Sequence, residues 1–93
     1  MNWPSTLVPY HRTKVFDEES VPDAFLTEHS TADGAWAMLR VTEGELTFID
    51  LDEGRVATID PESPAFLEPN QRHRLEITGP VKFFVEFFKD ASV

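Results

Sequence analysis

The chain has 93 residues, with 17 Asp+Glu against 8 Lys+Arg, a net charge of −9 at pH 7 with His neutral, and 41% hydrophobic residues that include eight Phe and two Trp. Residues 1–93 therefore make one domain, and the apolar content excludes a solvated disordered tail. The excess of acid removes the basic face that DNA or an anionic lipid surface requires, and the absence of cysteine excludes a disulfide scaffold, thiolate zinc fingers and thiol catalysis.

No apolar run approaches the roughly 18 residues of a membrane helix. The opening Met1-Asn2-Trp3-Pro4-Ser5 has neither a basic start nor an apolar stretch. No secretory signal is expected, nor a nucleic-acid or membrane partner, and the expected location is cytoplasmic.

In chain order, Leu7 to Phe16 reads as extended, with Pro9 confining it to an edge. Asp17 to Ala24 has room for one helical turn, limited by Pro22. Phe25 to Thr31 alternates as a strand. Trp36 to Leu51 reads as a hairpin through Glu43-Gly44, with Ala35, Ala37, Leu39 and Val41 on its inner face. Asp52-Glu53-Gly54 turns again into Arg55 to Ile59, completing a three-strand meander. Ala65 to Leu67, His73 to Ile77 and Val81 to Phe88 follow, separated by proline and glycine turns. About eight short strands with little helix make an all-β sandwich or barrel.

Candidate chemistry is confined to a few imidazole and carboxylate groups. His73 shares a strand face with Leu75 and Ile77, and His29 alternates with Phe25, Thr27 and Thr31. Both face the interior by this reading, where a hydrogen-bonded structural histidine is the plain alternative. Glu86 interrupts Phe83-Phe84-Val85-Glu86-Phe87-Phe88, where an unpaired buried carboxylate would cost several kcal/mol. The alternative places it outward beside Lys82. His29, His73 and Glu86 together have the composition of a two-His, one-carboxylate metal site. Zinc is the expected ion, with iron or nickel as substitutes. Arg12 and Arg40 are candidate ligand-binding cations, and His11 reads as exposed near an edge.

Two stretches, Val41-Thr42-Glu43-Gly44-Glu45-Leu46-Thr47-Phe48 and Phe66-Leu67-Glu68-Pro69-Asn70-Gln71-Arg72-His73-Arg74-Leu75-Glu76, resemble the two halves of a cupin. With Pro9 to Phe16, Leu26 to His29, Gly34 to Trp36 and Gly79 to Phe88, the chain resembles the small cupin-like family of the TehB N-terminal domain and YeaR. The resemblance implies a double-stranded β-helix, a bacterial cytoplasmic setting and a link to tellurite or oxyanion stress. Methyltransferase chemistry belongs, by the same resemblance, to a separate C-terminal domain of TehB and is not expected of these residues. The sequence departs from the ordinary cupin pattern. The first-motif ligand positions fall on Ser30, Ala32 and Ala37, with His29 shifted by one place. Asn70 stands at the second motif's glycine position, which Asn tolerates because it enters the left-handed region. His73 keeps its place. The family pattern favours His, His and an acid at the positions of His29, His73 and Glu86.

The expected function is a metal-binding module for a small molecule or oxyanion. A non-haem metal enzyme of oxygenase or hydrolytic type would use the same residues, and the sequence leaves open whether any reaction is catalysed. A metal-free dimeric interaction domain is the third reading, because Trp3, Trp36, Phe84 and Phe88 cannot all lie inside so small a barrel; a homodimer, expected alongside the metal-binding reading too, would cover part of that apolar surface.

Overall fold

Short alternating runs rich in Val, Ile, Thr and Phe bury one face each and satisfy their backbone groups only by lateral pairing. The computed structural model describes residues 3–92. Among the described residues, the chain forms β1 (Leu7–Arg12), β2 (Phe16–Asp17), β3 (His29–Ser30), β4 (Trp36–Gly44), β5 (Leu46–Asp50), β6 (Arg55–Ile59), β7 (Ala65–Leu67), β8 (Arg72–Glu76) and β9 (Val81–Asp90). A single 3-10 turn, Asp23–Leu26, lies between β2 and β3 among the described residues.

One sheet has the order β1-β9-β4-β7, with β2 also on β9, and the other the order β3-β8-β5-β6. Every pairing is antiparallel. From β3 to β8 the chain crosses between sheets at most turns, which is the jelly-roll order of a double-stranded β-helix. The expected all-β architecture is present. Pro9 sits in β1 at the sheet edge, where the β1–β9 register shifts between Pro9 and His11.

Two local expectations need correction. Trp36 to Leu51 is not a hairpin, because β4 pairs with β9 and β7 whereas β5 pairs with β8 and β6. The chain changes sheets at Gly44, whose φ is 76° and where a Cβ would collide with the Pro80 carbonyl. Only glycine fits a positive φ beside such a close backbone approach. The true hairpin is β5–β6, with Asp50 opposite Arg55. The second correction concerns Phe25 and Leu26, which lie in the 3-10 turn rather than a strand, so the strand shrinks to His29–Ser30.

The inner faces meet through Leu39 and Val41 of β4, Leu46 and Phe48 of β5, Leu75 of β8, and Val81, Phe83 and Val85 of β9, all buried. Each such side chain contributes roughly 1.5–3 kcal/mol by leaving water. On the outer face of the β9 sheet, Trp3 packs edge-on against Trp36, Phe66 and Phe88, with ring centroids 6.0, 4.9 and 5.2 Å away. Trp3, Trp36 and Phe88, three of the aromatic residues that the barrel interior cannot hold, thus pack together.

Candidate functional site

The site is built on one row of the β3-β8-β5-β6 sheet. His73 of β8 stands directly opposite His29 of β3 on one side and opposite Asp50 of β5 on the other. Directly paired antiparallel residues project from the same sheet face, so all three point toward the interior. The two imidazole centroids are 5.5 Å apart, with the ring planes at 89°. His73 also stacks on Phe48 at 5.6 Å, and Phe25 of the 3-10 turn packs 5.8 Å from His29.

These histidines line a cavity of about 50 Å³ between the sheets. That is room for a few waters or a molecule of a few heavy atoms, since one water needs roughly 10–15 Å³ on this measure. The remaining wall is mostly apolar: Phe25, Leu39, Leu67, Leu75, Val85 and Phe87. Ala37 and Thr31 complete it, and the buried Thr31 hydroxyl has no hydrogen-bond partner within the described residues. A buried hydroxyl without a partner costs on the order of 1–3 kcal/mol.

His73 is held by its own loop. Its Nδ1 lies 3.0 Å from the Gln71 carbonyl. A carbonyl only accepts, so Nδ1 carries the proton and Nε2 is left with a lone pair in the neutral ring. Burial pushes the imidazole below its ordinary value of 6.5; the charge of His29 acts the same way, while the Gln71 carbonyl and Asp50 act in opposition. Gln71 donates from Nε2 to Asp50 Oδ2 at 3.2 Å, so one residue ties the histidine to the carboxylate. Asp50 Oδ1 accepts from the backbone N–H of Asp52 and Glu53 at 2.9 and 3.1 Å, capping the β5–β6 turn. Asn70 enters the left-handed region at φ 62°, as its place in the glycine position of the motif implies, and its N–H donates to the Thr31 carbonyl at 3.0 Å. This bond ties the loop before β8 to the segment that carries His29 and Thr31.

The structure brings His29 and His73 together and leaves the other proposed site residues elsewhere. Glu86 is not at the cavity. Along β9, Val81, Phe83, Val85 and Phe87 face inward, which turns Lys82, Phe84, Glu86 and Phe88 to the outer face. There Glu86 accepts from Arg12 Nη2 at 3.3 Å, and the Arg12 guanidinium lies 4.6 Å from the Phe84 ring centre. The pairing with Arg12 offsets the desolvation that an acid in an apolar strand would otherwise suffer. Arg40 is exposed and stands opposite Phe84 on that same outer face. Neither arginine lines the cavity. His11 is exposed and stacks on Phe87 at 5.9 Å. Among the described residues no cluster of three or more His, Asp or Glu side chains is placed to hold a metal ion. Two imidazoles without a nearby free carboxylate do not make the expected three-ligand metal set.

Asp50 is the residue that the reading of the sequence passes over. It continues the inward parity of Leu46 and Phe48, and that alternation was the available signal. Thr31 likewise continues the parity of His29.

Residues 11–85 match the TehB-like domain family. The chain is similar to TehB from Haemophilus influenzae, with a TM-score of 0.83 and 28% identity over 92% of this chain. It spans 32% of that longer protein. A solved protein from E. coli strain K12 shares the fold, with a TM-score of 0.82 and 19% identity over 95% of both chains. No curated protein sequence matches the chain. The family match covers most of the 93 residues, the glycine-to-asparagine turn and His73 included, and the chain belongs to the TehB-like domain family.

Proposed function

We propose that this domain is a small-molecule-binding module whose pocket is the cavity between the two sheets, lined by His29, His73 and Thr31. Its membership in the TehB-like family supports a role in tellurite or oxyanion stress, with a small oxygen-bearing molecule as ligand. The observation that carries the reading is the Thr31 hydroxyl, buried and unpartnered in the wall of the same cavity that two imidazoles face. A bound oxygen atom would satisfy the hydroxyl and the His73 lone pair together.

The test is a titration of the isotope-labelled, untagged domain with selenite, tellurite and uncharged boric acid, any one of which suffices, followed by NMR. Saturable shifts confined to His29, Thr31, His73 and their neighbours support the reading. Shifts scattered over the surface, or none, overturn it. Elemental analysis of the same protein reports on metal. Zinc, iron or nickel at one ion per chain, lost in a His73→Ala variant, would replace this reading with a metal held by two imidazoles.

A further inference from the structure

The donors and acceptors around the cavity define which form of ligand it takes. We infer that the pocket accepts small uncharged hydroxyl-bearing molecules, weak oxyacids in their protonated form among them, and rejects ionised anions of the same size. This inference rests on the cavity being the binding site.

Three observations carry it. The Nδ1 proton of His73 is committed to the Gln71 carbonyl, so Nε2 presents a lone pair that asks for a ligand O–H. The Thr31 hydroxyl donates or accepts as its rotor turns, and it has no protein partner among the described residues. No Lys or Arg lines the cavity, and most of the remaining wall is hydrocarbon. An ionised oxyanion placed there would lose its hydration with no protein cation to offset the loss, inside a chain of net charge −9. A neutral X–OH loses far less. It gains one bond to His73 as donor and one to Thr31 as acceptor, and His29, opposite His73, is placed to take a third. The cations of this region face away: Arg12 and Arg40 are on the outer side of the other sheet, and Arg72 is engaged by Asp52 at 2.7 Å.

The experiment uses the labelled full chain near neutral pH, with boric acid and arsenous acid as uncharged probes and sulfate and phosphate as ionised ones. Boric or arsenous acid should shift His29, Thr31 and His73 resonances saturably, while sulfate and phosphate leave them in place. Tighter or equal binding of sulfate or phosphate at those residues overturns the inference and leaves the pocket itself intact. If selenite binds and neither uncharged probe does, the inference fails alone; if nothing binds, the pocket fails with it. Thr31→Val keeps the shape and removes the hydroxyl, and should weaken the uncharged probes about three- to tenfold, the worth of one hydrogen bond. Thr31→Ser should retain their binding, and equal affinity in all three proteins would overturn the part assigned to Thr31.

Discussion

Two acidic residues interrupt apolar strands of this domain, and they meet opposite fates. Asp50 follows Leu46 and Phe48 inward, is 8% exposed, and has both oxygens engaged by the turn that it caps and by Gln71. Glu86 lies within the most apolar strand of the chain, yet faces outward with Arg12. The composition of the neighbours pointed to the wrong one. In a strand the face is decided by odd or even position relative to the core, and the inner positions of β9 are Val81, Phe83, Val85 and Phe87. Five aromatic and aliphatic residues around Glu86 do not make its own position internal, because the outer face carries its own apolar cluster beneath Trp3.

The sharpest test of this inner-outer contrast is the pair Phe83 and Phe84. Phe83 is fully buried, so Phe83→Ala should cost about 3–5 kcal/mol in urea unfolding. Phe84→Ala, one position along, should cost about 1 kcal/mol, because it loses only partial burial and the Arg12 stacking. Equal losses would mean that the strand is not divided in this way.

The carboxylates themselves come next. Asp50→Ala strands two backbone N–H groups and the Gln71 amide, and should destabilise the fold by about 2–3 kcal/mol. Glu86→Gln removes a partly exposed ion pair and should change stability by less than about 1 kcal/mol. A larger loss at Glu86 than at Asp50 would reverse the roles assigned to them.

The smallest effect is a pH dependence. Burial holds the His73 imidazole below 6.5 in the folded state, so the unfolded chain takes up this proton first as pH falls. The His73 contribution to stability is therefore whole above pH 6.5, declines as pH drops from there to the folded-state value, and is flat below it. Thermal unfolding of wild type and His73→Phe across that range should show the slope only in the wild type. His29 on β3 and Asp50 on β5 are the titratable groups that face this ring, and a slope that survives in His73→Phe would mean that His73 is not its source.

Much of this was legible in the residues. Alternation marked most strands, the proline in β1 marked an edge, and the inward parity of His29 and His73 placed both at the cavity. Asn70 declared its left-handed turn by standing where a glycine is usual. Strand partners were not legible, because alternation reports which face is buried and is silent on which strand lies alongside. The turn at Gly44 looked like a hairpin for that reason, although its steric demand comes from Pro80, 36 residues along in the sequence. Glu86 is singled out in the sequence and Asp50 is passed over because an anomalous composition draws more notice than a two-residue period.

β9 pairs with β1 and β2 along one edge and with β4 along the other. Its register joins Leu7 to Asp90, so that the β1 contacts close nearly the longest loop available to the chain. Until β9 inserts, β1 and β4 have no common neighbour and their sheet has no centre. Pairing so distant in sequence is entropically late, and chains dominated by it fold on the scale of milliseconds to about a second rather than microseconds. The rate of assembly in this domain should therefore respond to changes in β9 far more than to changes in the local β5–β6 hairpin.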